Sequence, residues 1–324
     1  MKPVKFTYSL ALWLALALLL AACSASKNTA RSRWWQSFNT RYNVYYNGNM
    51  AYIDGMLEKE TGNHDNYTEL LPLYTVSNKN SKELGKGNFE RAILKSEKAI
   101  QLHSIKRRPT WDKSRRKTQR DIEWLNRKEY NPFMWRVWML MGRSQFHKGD
   151  FDQAASTFSY MARLYHTQPH IYAKARAWLA KTYIQQGWMY DAEDALRQVG
   201  KMELPKRLQR ERDLTMADFH IAQQQYAEAL PYLARAARQA SHNFDQGRWY
   251  YLLAQVNMQL GRKTDAYHAL NRCLAQNPPY ALAFQARILQ TEALTTRQNV
   301  ASMLRRLDRM AKDPNNADYL DQIY

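Results

Sequence analysis

A repeated pattern of small and large residues constrains this chain more than any other feature. It is marked by four alanines spaced 38, 37 and 37 residues apart, namely Ala154, Ala192, Ala229 and Ala266. Around each alanine, large apolar residues return every three or four positions, which is the spacing of one buried helix face. Gly142 and Ala154 are small where two helices would cross closely, and Gly149 falls where the chain must reverse. The pattern predicts stacked helix pairs that share a continuous core.

Helix pairs with a unit of 34 residues are typical of tetratricopeptide repeats. The intervals here are slightly longer, so we expect longer helices or loops near Gln168-Pro169 and Leu204-Pro205. Four repeats over residues 131–278 predict an all-α fold, a right-handed tetratricopeptide-repeat α-solenoid with an N-terminal helical cap. Residues 279–324 would add a weaker helix pair and the start of another helix. That last helix either caps the stack or continues into a longer protein, and we favour truncation because a solenoid cut within a repeat exposes apolar surface.

The N-terminus has the form of a bacterial lipoprotein signal. A basic start precedes an apolar run at residues 10–20 that is too short for a comfortable membrane span, and Leu20-Ala21-Ala22-Cys23 follows. We therefore expect residues 1–22 to be removed, Cys23 to be acylated and residues 23–33 to form a lipidated tether. Several acyl chains would hold the protein firmly. Ser24, in place of an aspartate, favours the periplasmic face of an outer membrane.

The net charge is +19. A basic chain raises the possibility of nucleic-acid binding. The predicted periplasmic location argues against it and favours an anionic membrane surface or an acidic protein partner. The second cysteine, Cys273, falls on a core position of the fourth repeat. With Cys23 acylated no intrachain disulfide can form, so Cys273 is expected to be a buried, inert thiol.

Residues 34–130 are predicted to form an N-terminal helical region, and its first helices are dense in aromatic residues. One stripe contains Trp35, Phe38, Tyr42, Tyr45 and Tyr46. We expect this stripe to pack on the first repeats as a cap. The alternative is an exposed aromatic patch for a partner or a sugar.

Three further segments of this region have distinct patterns. Residues 65–73 are predicted to be an extended, partly buried loop. Residues 89–100 match the second helix of a repeat, but its first helix is not evident. Residues 106–120 contain eight basic residues and one acid. This basic segment is predicted to be a solvated linker or an exposed helix face, and the alternative is an arm for lipid headgroups or an acidic partner.

No motif for catalysis is found in the sequence. It has no G-x-S-x-G, no Walker A loop, no H-E-x-x-H and no C-x-x-C. His166 and His170 are four residues apart but are separated by Gln168-Pro169, and no further metal ligand has suitable spacing. We therefore expect a non-enzymatic protein with no cofactor, no metal and no small-molecule substrate.

The first helices of stacked repeats line a concave surface, which is the predicted binding site for a protein partner. The predicted groove residues are Arg136, Met139, Arg143, Phe146, His147, Lys174, Lys181, Ile184, Asp218, Arg248 and Tyr251. The first half is basic with apolar patches and the third repeat is acidic, which suits an acidic, partly apolar peptide or helix. The alternative is that these side chains are merely solvated. The carboxylate clamp of co-chaperone repeats is absent, because Arg143 replaces its asparagine.

Five short motifs, in this order, connect the chain to a known family. They are NTRYNVYYNG at 39–48, DNY at 65–67 with LLP at 70–72, AIQLHS at 99–104, NP at 131–132 and DYLDQIY at 318–324. In these motifs the chain resembles the PorW/SprE family of tetratricopeptide-repeat lipoproteins, which serve type IX secretion and gliding motility in Bacteroidota. The resemblance implies a periplasmic adaptor between the inner-membrane motor, the outer-membrane ring and the translocon. Family members are much longer, and residues 106–120 look like an insertion.

Two other functions compete with this one at the level of sequence. One is a glycan-binding lipoprotein of the SusD kind, which is also rich in repeats and aromatic residues. The other is an outer-membrane assembly lipoprotein of the BamD kind. Neither would be an enzyme.

Overall fold

The computed structural model describes residues 27–200, 202, 205–240, 242–293 and 297–323. The predicted signal peptide and Cys23 lie outside these residues. Within them the regular structure is helical and contains no strand, which confirms the predicted all-α class. No helix in this part of the chain has both the length and the apolar character needed to cross a membrane.

The chain divides into two compact units. The first unit contains residues 1–58 and 83–182, and the second contains residues 59–82 and 183–324. The helices that begin in the first unit are α1 (Ala30–Asn39), a π-helical turn (Thr40–Tyr45), α2 (Tyr46–Gly62), α3 (Lys86–His103), α4 (Gln119–Leu125), α5 (Met134–Lys148), α6 (Phe151–Leu164) and α7 (Pro169–Gln186). The helices of the second unit are α8 (Met189–Gly200), α9 (Lys206–Ala222), α10 (Tyr226–Arg238), α11 (Asn243–Gln259), α12 (Lys263–Leu274), α13 (Tyr280–Glu292), α14 (Arg297–Ala311) and α15 (Leu320–Ile323). Two 3₁₀ turns (Thr75–Ser77 and Lys79–Ser81) precede α3, and a third (Pro314–Tyr319) precedes α15.

The repeat register that the sequence predicts is confirmed. All four landmark alanines are fully buried. The turns between paired helices contain a residue of positive φ at the same spacing of 38, 37 and 37, namely Gly149 (91°), Gly187 (77°), Gln224 (59°) and Gly261 (69°). The first helices α7, α9 and α11 are 18, 17 and 17 residues long, in line with the expected longer repeat.

In the first unit, α3 and α6 both pack against α5. A Cβ placed on Gly142 would lie 2.6 Å from the ring of Phe158, so the predicted close crossing of α5 and α6 is present. The ring of Phe158 in turn lies 5.7 Å from that of Trp178 on α7. The first unit is therefore built around interlocked aromatic side chains.

The first helix that pairs with α3 is α2, which the sequence did not reveal. Ala51 and Tyr52 of α2 pack with Phe89 and Ala92 of α3, and Gly55 lies directly against the ring of Phe89. The two helices are separated by residues 63–85 rather than by a short turn. This long connection removes the local turn signal by which the other repeats can be recognised.

The predicted packing of the N-terminal aromatic stripe is only partly right. Tyr45 packs on Phe133 with its ring centroid 5.0 Å away, which anchors the helical cap. Phe38, Tyr42 and Tyr46 are exposed instead. The buried residues of α1 and the π-helical turn are Ser32, Gln36, Thr40 and Val44. Gln36 Oε1 lies 2.6 Å from His103 Nδ1 of α3, and Thr40 accepts from Asn131.

The basic segment, residues 106–120, is largely exposed. The residues that flank it are hydrogen-bonded to each other, since the Tyr130 N–H donates to the Ile105 carbonyl at 2.9 Å. The buried carboxylate of Glu129 also accepts from the backbone N–H of Ile105 at 2.9 Å and of Asn131 at 2.8 Å. The segment is therefore a loop of the first unit whose two ends are held together.

In the second unit, consecutive helices from α8 to α13 pack as neighbours. Helices α9 to α13 share a core that includes Leu233, Leu253, Leu270 and Cys273, and this core also contains Leu71 and Leu73 from the segment before α3. Burial raises the pKa of the Cys273 thiol to about 12, as expected for an inert core cysteine.

Candidate peptide-binding groove

One face of α11 forms a groove in the second unit. Arg248, Tyr251 and Gln255 are three or four residues apart, so their side chains lie on the same side of the helix. All three contact residues 65–73 of the same chain. These residues are partly buried, as the sequence predicted, but the predicted extended conformation is only partly right, because the chain turns at Tyr67-Thr68 and bends at Glu69 and Leu73.

An ion pair fixes the beginning of this segment. The Arg248 guanidinium donates from Nε to Asp65 Oδ2 at 2.7 Å and from Nη2 to Asp65 Oδ1 at 2.8 Å. Burial acts to raise the pKa of the Asp65 carboxyl, but the hydrogen bonds and charge of Arg248, with hydrogen bonds from Asn63 and Asn78, hold that pKa below its ordinary value. Asp65 is therefore ionised in the folded protein near neutral pH.

Side chains of α11 also bind the backbone of the segment. The Gln255 amide nitrogen donates to the Glu69 carbonyl at 2.8 Å, and the Gln255 amide oxygen accepts from the Leu71 N–H at 3.0 Å. Arg248 Nη2 donates to the Pro72 carbonyl at 3.2 Å, and Trp249 Nε1 donates to the Leu73 carbonyl at 3.3 Å. Hydrogen bonds to the backbone of the segment do not depend on its exact side chains.

Apolar contacts complete the binding of the segment. Leu71 and Leu73 are almost fully buried in the core of the second unit. The rings of Tyr67 and Tyr251 meet edge to face with centroids 5.5 Å apart. The groove thus holds an acidic residue at one end and two leucines further along.

The residues on either side of the segment are hydrogen-bonded to one another. Asn78 Nδ2 donates to Asn63 Oδ1 at 2.7 Å and to Asp65 Oδ1 at 2.8 Å. The buried Lys59 ammonium donates to the Ser81 carbonyl. The segment therefore lies within a loop whose two ends are held together.

A cavity of about 300 Å³ adjoins the segment on the side of α13. Its lining includes Tyr67, Glu69, Tyr251, Met258, Ile288 and Glu292. This volume is at the lower end of the range for small-ligand pockets and has room for one or two side chains of a peptide. The part of the groove between α11 and α13 that the segment leaves open is thus a place for a partner's side chains.

Several predicted groove residues of the first unit are packed inside it. Met139, Phe146 and His147 are buried, and the His147 ring packs within 6.1 Å of the rings of Tyr52 and Trp178. These residues contribute to an aromatic cluster between helices and do not form the floor of an open groove.

The predicted basic residues of the first unit lie on aromatic rings. Arg143 donates to the Tyr52 hydroxyl at 2.7 Å. The cations of Arg136 and Lys174 lie 4.6 and 5.1 Å from the ring centre of Trp135, and that of Lys181 lies 4.3 Å from the ring of Trp178. Arg136 is the exposed member of this set.

In the second unit the structure brings Arg248 and Tyr251 together at the occupied groove. Ile184 is buried, and the Asp218 carboxylate accepts from the Gln185 amide at 3.3 Å. Sequence reasoning did not find the occupant of the groove. The available signal was the charge match, because residues 65–73 are acidic and partly apolar, which is the kind of peptide predicted for this surface.

Among the described residues, no cluster of three or more His, Cys, Asp or Glu side chains is placed to hold a metal. The His166 ring nitrogen Nδ1 lies 3.0 Å from the Arg163 carbonyl. One of the two histidines considered above is thus within hydrogen-bonding distance of the protein backbone.

Comparison with known proteins supports the repeat assignment. Residues 220–288 match the tetratricopeptide repeat family. No curated protein matches the chain. A solved structure of the TPR2AB domain of yeast Sti1 in complex with pHSP90 is 15% identical over 86% of this chain and 98% of that chain, with a TM-score of 0.28. The matched residues begin near the end of α9 and end within α13, so they include the α11 face of the groove.

Proposed function

We propose that this protein is a non-enzymatic scaffold that is anchored by lipid to the periplasmic face of an outer membrane. It would bind protein partners of the type IX secretion or gliding machinery. The tetratricopeptide-repeat fold indicates protein–protein interaction, and the membrane, compartment and machinery are our proposal.

One observation carries the binding part of this proposal. The α11 face binds a non-helical, acidic and partly apolar segment through its backbone and two buried leucines. The surface can therefore bind a peptide, and the adjoining cavity offers an open continuation. A partner segment with an apolar residue for that cavity would bind beside residues 67–70.

The location and the machinery are supported by sequence. Leu20-Ala21-Ala22-Cys23 has the form of an acylation signal, and the motifs at 39–48 and 65–72 resemble those of the PorW/SprE family. The second of these motifs includes Asp65, Leu71 and Pro72, which the α11 face binds. The motif thus has a structural role in this chain, namely to occupy the groove.

Site-specific photo-crosslinking in cells tests the proposal. A photoreactive amino acid at Met258, which lines the cavity, should trap a partner, while the same residue at exposed Lys263 should not. Recovery of type IX secretion components at Met258 supports the proposal. Recovery of barrel-assembly components would favour the assembly function, and identical products at both positions would contradict a groove.

Gene deletion supplies the second test. Loss of the protein should stop secretion of proteins that bear the type IX C-terminal signal. Normal secretion in the deletion strain would refute the assignment to that machinery.

A further inference from the structure

A row of aromatic side chains on α1 and the following helical turns faces solvent. Trp34, Phe38, Tyr42 and Tyr46 are 63%, 46%, 56% and 58% exposed. Ring centroids are 5.6 Å apart between Trp34 and Phe38 and 4.9 Å apart between Phe38 and Tyr42. We call these four residues the aromatic ridge.

The π-helical turn keeps the ridge on one face. In a regular α-helix, residues four apart drift by about 40° per step, so three steps from Trp34 to Tyr46 would turn the ridge by about 120°. The Tyr46 N–H instead bonds to the carbonyl of Arg41, five residues earlier, which is the wider turn of a π-helix. The wider turn reduces the drift.

The opposite side of these helices is polar and fixed. Gln36 Oε1 lies 2.6 Å from His103 Nδ1, and Asn131 Nδ2 donates to Thr40 Oγ1 at 3.0 Å. Ser32, Gln36 and Thr40 are buried. Rotation of the helix about its axis to bury the ridge would break these buried hydrogen bonds. The ridge therefore stays exposed, although exposure of its apolar surface to water costs free energy.

The sequence that contains the ridge is basic. Residues 27–53 contain no acidic residue, and Lys27, Arg31 and Arg41 are exposed. Asn28 Nδ2 donates to the Arg107 carbonyl at 2.7 Å, which joins the basic segment to the start of α1. The predicted acylation site, Cys23, is five residues before Asn28.

A basic cavity of about 660 Å³ lies in the same unit, at the base of the basic segment. Five of its lining residues are cationic and none is acidic. The cationic residues are Lys106, Arg108, Arg127, Lys128 and Arg163. A cavity with this charge and volume suits the phosphate group of an anionic ligand.

We propose that the aromatic ridge and the basic cavity dock the first unit onto an anionic lipid bilayer. Trp and Tyr side chains favour the boundary between headgroups and acyl chains, and cations favour the phosphates of anionic lipids. An exposed row of aromatic rings, in a stretch of sequence that has basic but no acidic residues, matches that boundary. This inference extends the proposed membrane location, but it does not need the acyl chains themselves.

Vesicle binding by the unlipidated mature chain, beginning at residue 24, tests the inference. The vesicles contain phosphatidylcholine with about one-third phosphatidylglycerol, and pure phosphatidylcholine vesicles serve for comparison. The variant Trp34→Ser/Tyr42→Ser should bind the anionic vesicles about tenfold more weakly. The matched variant Trp188→Ser/Tyr190→Ser removes one exposed Trp and one exposed Tyr from the second unit and should bind as the wild type does.

A charge variant tests the cavity separately. Arg108, Lys128 and Arg163 are exposed, so changing all three to Glu should leave the fold intact, which circular dichroism can verify. Binding to anionic vesicles should fall by at least about tenfold, while the weak binding to neutral vesicles should not change. Binding by the wild type should also weaken as salt increases.

Three results would overturn the inference. They are no binding of the wild type to anionic vesicles, undiminished binding by Trp34→Ser/Tyr42→Ser, and self-association that this variant abolishes, which would assign the ridge to a second copy of the chain. Failure of the anchor is detected independently by mass spectrometry of Cys23 in the full chain from cells. An unmodified Cys23 with vesicle binding intact would refute the anchor and leave the ridge.

Discussion

The guanidinium of Arg248 binds the carboxylate of Asp65 across 183 residues of sequence, at 2.7 and 2.8 Å. The two side chains are only 2% and 4% exposed. Two buried charges lose their hydration, and their mutual attraction offsets that loss only while both are present. The pair therefore fixes where the segment enters the groove more than it adds net stability.

Removal of one partner of this pair should be costly. Arg248→Met should lower the free energy of unfolding by about 3–5 kcal/mol, because it leaves the Asp65 charge buried and uncompensated. The double variant Asp65→Leu/Arg248→Met should recover much of that loss. Urea unfolding of the unlipidated chain measures the double variant and the two single variants, Arg248→Met and Asp65→Leu. A loss in the double variant equal to the sum of the two single losses would show that the two residues are not coupled.

The same pair predicts a pH dependence. The pKa of Asp65 is lower in the folded protein than in the unfolded chain, so ionised Asp65 contributes stability above the unfolded value of about 3.9. That contribution is lost as the pH falls from this value through the lower folded pKa. The stability difference between wild type and Asp65→Asn should therefore be largest near neutral pH and should shrink in acid. A difference that stays constant down to the acid range would contradict this account.

The repeats could be predicted because their signals are local. Burial of Ala154 and the reversal at Gly149 follow from neighbouring residues, and the structure has both. The occupant of the groove could not be predicted in this way, because Asp65 and Arg248 carry no periodic signal that relates them. The first helix of the α3 pair was missed for a similar reason, since the connection after α2 is long.

The outward aromatic ridge shows a different limit of sequence reasoning. Periodicity identifies an apolar stripe but does not say whether it faces the core. Here buried polar contacts of Gln36 and Thr40 decide the orientation of the helix, and they depend on His103 and Asn131 far along the chain.

Gln255 should control how firmly the segment is held. Its amide makes one hydrogen bond to each of Glu69 and Leu71, so Gln255→Ala removes both. At about 1 kcal/mol per bond, hydrogen exchange at the Leu71 amide should accelerate about tenfold or more. Gln259→Ala, which changes the lining of the adjoining cavity, is the control and should leave Leu71 exchange unchanged. Equal exchange in all three proteins would mean that buried Leu71 and Leu73 hold the segment without Gln255.

Addition of a single methyl group at Gly142 should destabilise the protein. A Cβ at this position would lie 2.6 Å from the Phe158 ring, so Gly142→Ala forces α5 and α6 apart and should cost about 1–3 kcal/mol. Gly87, inside α3, has no atom within 4 Å of the corresponding position. Gly87→Ala should therefore stabilise the helix by up to about 1 kcal/mol. Thermal unfolding of the two variants should give shifts of opposite sign, and a Gly142→Ala protein as stable as wild type would mean that the crossing is loose.

The turn between α9 and α10 differs from the equivalent turns of the other repeats. Gln224 has a φ of 59°, whereas the equivalent turns have glycine at the left-handed position. A residue with a side chain costs roughly 1–2 kcal/mol in the left-handed conformation, and glycine avoids this cost. Glycine also raises the conformational entropy of the unfolded chain, which offsets part of the gain in stability. Gln224→Gly should therefore stabilise the second unit by a few tenths to about 1 kcal/mol. Gly187→Ala is the matched reverse change, since a Cβ there meets nothing within 4 Å and the cost is conformational alone. It should destabilise by about 1 kcal/mol, and a shift of the same sign in both variants would show that contacts of the Gln224 side chain, rather than backbone strain, decide the stability of this turn.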